Sequence, residues 1–278
     1  LLWLAAQRRP CPPERRRGSR HARLVSSLTT HFESMSAQSQ IIRSLSDLCR
    51  KPRGPRDRQL LFGNGFTILE RSGDWCFGQA TKDGYQGYIK TADLAPYTPA
   101  THWVSALSSH VYAAPNLKSP DQIFLPFGAQ VTVNAEHGNF CQTPAGFIPR
   151  QHLRATGNFF ADPREVAKIF LGSPYLWGGN SAAGIDCSGL VQAACHATGR
   201  ACPGDSGPQQ DFFPETQGDW APGQLIFWSG HVALTLSATQ LIHANAHAMS
   251  VRIEAIDSAI ARIDAAGDGP MLQRSQLT

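Results

Sequence analysis

The sequence contains an internal repeat, and this repeat is the strongest constraint on the fold. Residues 62–76, FGNGFTILERSGDWC, match residues 127–141, FGAQVTVNAEHGNFC, at a constant offset of 65 residues. A second match follows at an offset of 59 residues, where GYIKTADL at 87–94 corresponds to GFIPRQHL at 146–153. The repeat unit is about 60 residues long, so we expect two copies of one small fold.

The pattern inside each copy predicts a small antiparallel β-barrel. Alternating apolar and polar residues are interrupted by glycine turns such as Ser72-Gly73 and Asp83-Gly84, as in a chain of short hairpins. Residues 41–153 resemble bacterial SH3-like barrels, whose glycine, tryptophan and valine positions occur here in softened form. A joint rich in proline and threonine, residues 95–103, separates the copies. We therefore expect one barrel over residues 35–97 and a second over 98–154.

The pattern becomes helical after the second barrel, which predicts a third domain over residues 155–278. Asp162 is a candidate N-cap, and Pro163 would occupy the first helical position. Val166 follows on one face of the helix, and Gly172 and Pro174 are expected to end it. With strands predicted further along, this domain belongs to the α+β class.

A glycine-rich stretch, YLWGGNSAAGIDCSGLVQ at residues 175–192, leads into a second predicted helix. Cys187, Val191, Ala194 and Cys195 have helical spacing, and Gly199 is a candidate terminator. Cys187 then lies in the first turn, where free N–H groups and the helix dipole favour a thiolate and can stabilise an oxyanion. The glycines allow a tight approach to this turn. The sequence thus predicts a nucleophilic cysteine.

A cysteine nucleophile needs a general base, normally a histidine supplied by the fold. Residues 224–254 read as successive antiparallel strands joined by turns at 229–230 and 238–240. His231 begins one strand and His243 lies in the next. With a three-residue turn centred on Ala238 between these strands, His243 would pair opposite Ala233, on the same face as His231 and diagonal to it. His243 can then orient His231. His247 has the same parity and is the alternative partner.

Residues 162–254 resemble the NlpC-type (NlpC/p60) cysteine peptidases, which are papain-like enzymes that cleave bacterial cell-wall peptides. The resemblance rests on Y-x-W-G-G at 175–179, D-C-S-G-L-V at 186–191, H-V-A at 231–233 and L-I-H-A at 241–244. It implies a papain-like fold with a helix-borne cysteine packed on an antiparallel sheet. It also implies Cys187 as nucleophile, His231 as general base and acid, His243 as the orienting third member and Tyr175 as a hydroxyl lining the site.

The arrangement of two barrels followed by such a domain resembles that of certain cytoplasmic enzymes. Those enzymes hydrolyse γ-D-glutamyl bonds to diamino acids in wall peptides that have a free N-terminal L-alanine. The resemblance implies that Asp186, Ser188 and Ser206 bind substrate, with Asp186 and Ser206 near the amine end. A tyrosine and a glutamate of the first barrel would complete this pocket. Tyr85 and Tyr88 are both candidates for the tyrosine, whereas no residue is assigned to the glutamate. Such an enzyme would need no cofactor or metal.

Composition excludes several other classes of protein. Residues 1–34 carry a net charge of +5, so the remaining 244 residues sum to −1, and nucleic-acid binding has no support in the folded part. No apolar run is long enough to span a membrane. The seven cysteines are scattered without metal-ligand spacing, which fits a reducing compartment.

The first 34 residues are interpreted as a disordered or mistranslated leader, because apolar residues precede the arginines and the first methionine is Met35. A basic tail that contacts anionic lipid or nucleic acid is the alternative interpretation. Since no export signal is recognisable, a cytoplasmic location is expected, with a murein-derived peptide as partner. The oligomeric state is left open.

Two other functions are carried as alternatives. One is a wall-binding or peptide-binding protein whose catalytic site has decayed, although Cys187, His231 and His243 are all present in the expected order. The other is an acyltransferase of the related thiol enzymes, in which the histidine usually precedes the cysteine. Asp186 can also act as a simple helix cap, and Ser206 as a turn residue.

Overall fold

The computed structural model describes residues 37–277, so the predicted leader, residues 1–34, lies outside the described residues. Residues 37–96 form a first β-barrel around a small apolar core. It is built from one antiparallel sheet of order β3-β2-β6-β5-β4-β1-β7. The strands are β1 (Ala37–Ile41), β2 (Leu45–Cys49), β3 (Arg56–Leu61), β4 (Gly65–Ser72), β5 (Trp75–Ala80), β6 (Gln86–Lys90) and β7 (Leu94–Pro96).

Residues 102–155 form a second β-barrel with two antiparallel sheets, of order β10-β9-β14-β13-β12 and β11-β8-β15. Its strands are β8 (His102–Val104), β9 (Ser108–Tyr112), β10 (Asp121–Pro126), β11 (Gln130–Val131), β12 (Ala135–His137), β13 (Phe140–Thr143), β14 (Gly146–Pro149) and β15 (Leu153–Ala155). A short 3-10 turn precedes the last strand of each barrel, at Thr91–Asp93 and Arg150–His152. The repeat in sequence therefore corresponds to a repeat in structure.

The third unit, residues 163–277, packs helices against a five-stranded antiparallel sheet of order β21-β20-β19-β18-β22. Its helices are α1 (Pro163–Ile169), α2 (Cys187–Ala197), α3 (Ser206–Phe212) and α4 (Ile256–Ala265). Its strands are β16 (Asn180–Ser181), β17 (Gly184–Ile185), β18 (Gln224–Trp228), β19 (His231–Thr235), β20 (Gln240–Asn245), β21 (Ser250–Ala255) and β22 (Gln273–Gln276). This is the expected α+β architecture, whereas the exact domain boundaries at 97, 154 and 278 stay predictions.

The main core lies between α2 and the sheet. Leu190 and Val191 on α2 are buried against Phe227 and Val232 on the central strands. Burying aliphatic and aromatic side chains of this size stabilises the fold by about 1.5–3 kcal/mol for each. The packing fixes the height and rotation of α2 above the sheet, and thereby the position of Cys187 at its first turn.

The repeated phenylalanine joins each barrel to the unit that follows it. Phe62 of the first barrel packs against the core of the second barrel. Its counterpart Phe127 packs into the core of the third unit, with its ring 5.3 Å from that of Phe170. The same position in the repeat therefore serves twice as a contact between consecutive units.

The first barrel also contacts the third unit directly through polar groups. The buried Arg58 guanidinium donates to Asn180 Oδ1 at 2.7 Å and to the carbonyl of Gly204. Lys82 Nζ donates to Gln192 Oε1 on α2 at 2.6 Å. These bonds hold the first barrel against the elements that carry the candidate site. None of the helices within residues 37–277 is long and apolar enough to cross a membrane.

Two glycines of the first barrel provide a matched test of the contact between the barrels. Gly63 and Gly73 both have positive φ, of 77° and 58°, but an added Cβ at Gly63 would clash with the backbone of Gln130 in the second barrel. At Gly73 an added Cβ meets nothing within 4 Å. We expect Gly73→Ala to cost about 1 kcal/mol and Gly63→Ala at least about twice that, because a clash adds to the conformational cost. Calorimetric Tm values for both variants test this; equal shifts would contradict it.

Candidate active site

Asp186 is the N-cap of α2 and fixes the backbone around Cys187. Its Oδ1 accepts from the N–H of Gly189 at 2.6 Å and from the Ser188 hydroxyl at 3.1 Å, while its Oδ2 accepts from the N–H of Gly178 at 2.9 Å. The carboxylate therefore satisfies N–H groups that the first helical turn leaves unpaired. The expected capping role is present in the structure, and both carboxylate oxygens are engaged within the protein.

The glycines before Cys187 allow the lead-in to pack closely. Gly178 has a φ of +69°, and an added Cβ there would meet the carbonyl of Asp57 in the first barrel at 2.5 Å. At Gly179 an added Cβ would clash with the carbonyl of Gly184. Only glycine allows this conformation and this proximity without strain. The glycine-rich stretch thus brings the first turn of α2 against β16, β17 and the first barrel.

Cys187 is largely buried, with 6% of its surface exposed. Its Sγ lies 3.9 Å from the carbonyl oxygen of Gly230, to which the thiol donates. Backbone N–H groups of Val232, Ser188 and Cys187 itself lower the pKa of this thiol, but burial outweighs them and raises it to about 12, with Asp186 adding to the rise. The sulfur is therefore held between the two residues that flank His231, and its burial favours the protonated thiol.

His231 and His243 form a hydrogen-bonded pair of imidazoles. Nε2 of His231 lies 2.9 Å from Nδ1 of His243, and the ring centroids are 5.0 Å apart. The register of the Leu234–Ile242 pair, extended by one residue, places His243 opposite Ala233. His243 is completely buried, whereas the alternative residue, His247, is exposed beyond the end of β20. The structure brings His243 to His231.

Burial also governs the charge of His231. Together with the neighbouring His243 and Arg262, it lowers the pKa of His231 to about 3. These shifts favour a neutral thiol at Cys187 and a neutral imidazole at His231. The sequence predicts an anionic sulfur because of the helix N-terminus. Burial of Cys187 acts in the opposite direction and favours the neutral thiol.

Three residues that the sequence patterns do not single out surround the histidine pair. Glu254 Oε1 on β21 lies 3.1 Å from His243 Nε2, and Arg262 on α4 donates to both oxygens of Glu254 at 3.0 and 2.9 Å. Asn245 Nδ2 lies 2.9 Å from the same His243 nitrogen. In the sequence, Asn245 lies two residues after His243 and so on the same face of its strand, and Arg262 lies in a helical pattern. Neither is distinctive without the strand pairing.

Tyr175 lies beside the cysteine. Its backbone pairs with Ile185 just before α2, and its N–H donates to Met249 at 2.9 Å. Burial raises the pKa of Tyr175, and the nearby Cys187 and Asp186 raise it further. The phenol is therefore a neutral hydrogen-bond donor near the sulfur.

On the side of the first barrel, Tyr85 and not Tyr88 reaches the third unit. The Tyr85 hydroxyl donates to Asp205 Oδ2 at 3.0 Å, whereas Tyr88 packs within the barrel with its ring 5.0 Å from that of Phe77. Asp205 is the residue before Ser206, at the N-terminus of α3, and its side chain is 49% exposed. Tyr85 therefore brings the first barrel to the edge of the site, and we call the surface around Tyr85 and Asp205 the barrel wall.

The charge that the first barrel presents at this wall is positive. The barrel's buried cation, Arg58, donates to the Ser188 hydroxyl at 3.3 Å and to Asp205 Oδ1 at 3.2 Å. Ser188 is itself buried and lies directly beside Cys187. The glutamate that the resemblance implies in the first barrel has no counterpart among these contacts. The acidic group open to solvent here is Asp205, from the third unit. Within residues 37–277, no group of three or more His, Cys, Asp or Glu side chains is arranged to hold a metal ion.

Two family models match the chain. The NlpC/P60 family model matches residues 172–264, which include Cys187, His231, His243 and Glu254. The model of the bacterial dipeptidyl-peptidase SH3 domain matches residues 48–94 in the first barrel. The predicted resemblance to an NlpC/P60 domain preceded by bacterial SH3-like structure is confirmed.

The chain is also similar to named proteins of several bacteria. The chain is 26% identical to dipeptidyl-peptidase 6 of Lysinibacillus sphaericus over 72% of its own length and 83% of the relative. It is 26% identical to the γ-D-glutamyl-L-lysine dipeptidyl-peptidase of Bacillus subtilis over 70% of this chain and 74% of the relative. A solved NlpC/P60 family protein from Bacillus cereus superimposes with a TM-score of 0.73 at 19% identity, covering 86% of this chain and 99% of that one. The fold is thus shared over nearly all of that structure.

The neutral state of Cys187 leads to a prediction about its alkylation. Because burial raises the pKa of this thiol, the fraction of thiolate at neutral pH is small and grows as the pH rises. We expect the rate of iodoacetamide labelling at Cys187 to increase throughout the range from pH 6 to 10 without a plateau, by about tenfold for each pH unit. Mass spectrometry of the Cys187 peptide measures this rate, with Cys187→Ala as the blank. A plateau reached below pH 7 would show a thiolate at neutrality and contradict the expectation.

Proposed function

Residues 172–264 form an NlpC/P60 domain and the chain is a cysteine peptidase of that family, and from this premise we propose that it hydrolyses murein-derived peptides at a γ-D-glutamyl bond to a diamino acid. The observation that carries the proposal is the position of Cys187 Sγ between Gly230 and Val232. These two residues flank His231, which is hydrogen-bonded to His243. Two relatives at 26% identity are named γ-D-glutamyl-L-lysine dipeptidyl-peptidases, which supports the choice of bond.

In the acylation step, Cys187 Sγ attacks the carbonyl carbon of the scissile amide. Because Nε2 of His231 faces His243, its Nδ1 is the nitrogen left to accept the proton of the thiol. Substrate binding displaces the S–H from the Gly230 carbonyl, and the proton moves to His231 as the carbon–sulfur bond forms. Backbone N–H groups at the start of α2 stabilise the oxyanion, with the neutral Tyr175 hydroxyl beside them.

Collapse of the tetrahedral intermediate breaks the carbon–nitrogen bond. The imidazolium of His231 gives its proton to the departing amine, which leaves a thioester on Cys187. A water molecule then attacks the thioester while His231 accepts one of its protons. The carbon–sulfur bond breaks, and the thiol recovers this proton. The reaction is acyl transfer to water and uses no cofactor.

The amine end of the substrate is assigned to the barrel wall. A free N-terminal ammonium would find the half-exposed Asp205 carboxylate and the Tyr85 hydroxyl there, on the same side as Ser188, because Arg58 contacts both Ser188 and Asp205. Ser206 follows Asp205 at the start of α3. Both oxygens of Asp186 already accept hydrogen bonds within the protein, so Asp186 attracts the substrate ammonium only through its negative charge. This arrangement favours short peptides with a free L-alanine over intact murein.

We place this activity in the cytoplasm, in the recycling of wall peptides. The support is chemical, because Cys49, Cys76, Cys141, Cys187, Cys195 and Cys202 are all free thiols. An oxidising compartment would favour pairing of such residues, whereas a reducing one preserves the nucleophile. A decayed binding module is disfavoured by the intact histidine pair, and an acyltransferase by the order of cysteine before histidine.

The peptidase proposal predicts that Cys187→Ala lowers the hydrolysis of L-Ala-γ-D-Glu-diaminopimelate by about 10⁴- to 10⁶-fold, because no other group can form the thioester. Cys195→Ala is the matched control, since Cys195 lies buried two turns further along the same helix and contacts only the core. The control variant is expected to keep activity within about threefold of wild type. Release of diaminopimelate is the measurement, and circular dichroism checks that both variants fold. Unchanged turnover in Cys187→Ala would overturn the proposal.

A second prediction concerns the free amine. Since a charge-assisted hydrogen bond contributes about 1.5–3 kcal/mol, kcat/KM for the free tripeptide should exceed that for its N-acetyl form by about 10- to 100-fold. Asp205→Asn should reduce this ratio by removing the carboxylate, while Asp219→Asn, which changes an acid elsewhere in the chain, should not. Equal cleavage of both peptides by wild type would contradict the assignment of the amine end.

A further inference from the structure

The histidine pair ends at a carboxylate that the peptidase mechanism above does not use. Glu254 Oε1 lies 3.1 Å from Nε2 of His243, and its side chain is 21% exposed. Arg262 on α4 donates to both oxygens of this carboxylate, at 3.0 and 2.9 Å, and so fixes its orientation. A continuous series of polar groups therefore runs from the side of Cys187 through two imidazoles to Glu254 and Arg262.

Two arrangements of protons are compatible with these distances, and only one gives a working base. If His243 carries its proton on Nε2, its Nδ1 accepts from Nε2–H of His231, and His231 Nδ1 is free to accept the thiol proton. If Nε2 of His243 instead accepts from Asn245 Nδ2, then Nδ1–H of His243 donates to His231. His231 would then carry its proton on Nδ1 and could not act as a base toward Cys187. The tautomer of His243 decides between the two.

Glu254 and Asn245 favour opposite tautomers. The N–H of Ala248 donates to Asn245 Oδ1 at 2.7 Å, so the amide nitrogen of Asn245 is directed at His243 Nε2 and Glu254 Oε1, 2.9 and 3.3 Å away. A carboxylate is a stronger acceptor than a neutral imidazole nitrogen. The hydrogen bond from His243, together with Arg262, lowers the pKa of Glu254 to about 2 and keeps it ionised. The amide of Asn245 then donates to Glu254 as well.

We propose that Glu254 is a positioning residue of the peptidase, which, held by Arg262, keeps the proton of His243 on Nε2 and thereby leaves Nδ1 of His231 unprotonated toward Cys187. The proposal rests on the proposed function of the site. Glu254 contacts neither the sulfur nor the substrate and acts through His243. The charged or titratable groups that face it are His243 on β20, His231 behind it on β19 and Arg262 on α4.

The test compares Glu254→Gln with wild type on L-Ala-γ-D-Glu-diaminopimelate. A glutamine keeps the shape but removes the charge, so Asn245 can compete for His243 and part of the protein adopts the inactive tautomer. We expect kcat/KM to fall by about 10- to 100-fold, mainly through kcat, because general-base catalysis is impaired and not removed. Glu254→Asp, which retains the charge, should recover part of the loss. Glu165→Gln, which removes an exposed carboxylate bonded to Lys168, should be neutral.

Two further readouts separate positioning from a structural role. Nitrogen-15 NMR of the histidines should show Nε2–H forms for both His231 and His243 in wild type, and a mixture in Glu254→Gln. The acid limb of kcat/KM should also move to lower pH in the variant, because the negative charge of Glu254 raises the pKa of His231. A structural defect alone would reduce the amount of folded enzyme without moving this limb.

Unchanged histidine tautomers in Glu254→Gln, or a kcat/KM within about twofold of wild type, would overturn the proposal. A double variant gives an independent check: in a His243→Asn background, Glu254→Gln should cause no further loss, and an additive loss would contradict action through His243. Failure of the proposed function is distinguishable, since it appears as absence of cleavage by wild type, whereas the NMR measurement still decides the tautomers.

Discussion

The hydrogen bond between His231 and His243 is the interaction on which the rest of the site depends. It joins two neighbouring strands at 2.9 Å and leaves Nδ1 as the nitrogen of His231 that is not bonded to His243. The strand register sets this bond, because a slip of one residue would turn His243 to the opposite face. Packing of α2 on the same sheet then brings Cys187 to the loop before His231. Catalytic geometry is thus a consequence of core packing.

Much of this could be predicted from local patterns. The repeat in sequence predicts two similar barrels, and in the structure the equivalent glycines have similar positive φ values, 77° at Gly63 and 84° at Gly128. The cap at Asp186 and the helical spacing after it place Cys187 at the start of α2. The short turn between β19 and β20 predicts the pairing of the two histidines. In the last two cases the relevant residues lie within about 20 positions of one another.

The features that could not be predicted depend on contacts between distant segments. Arg58 meets Ser188 only because the first barrel packs on the third unit, 130 residues away in sequence. Glu254 reaches His243 through a strand pairing that places Leu241, not His243, directly opposite it. The resting charge of Cys187 depends on burial, which the helix N-terminus alone does not reveal. Sequence patterns give the elements and their faces, whereas desolvation and cross-unit contacts require the assembled fold.

The central claim is that peptide cleavage proceeds through a thioester on Cys187. Its most direct test is product analysis of L-Ala-γ-D-Glu-diaminopimelate cleavage in the presence of hydroxylamine, which competes with water for an acyl-enzyme. A thioester predicts that L-Ala-γ-D-Glu hydroxamate forms in proportion to the hydroxylamine concentration, while the acid product decreases correspondingly. Cleavage that yields only the acid at every hydroxylamine concentration would contradict a covalent intermediate and, with it, the assignment of Cys187 as nucleophile.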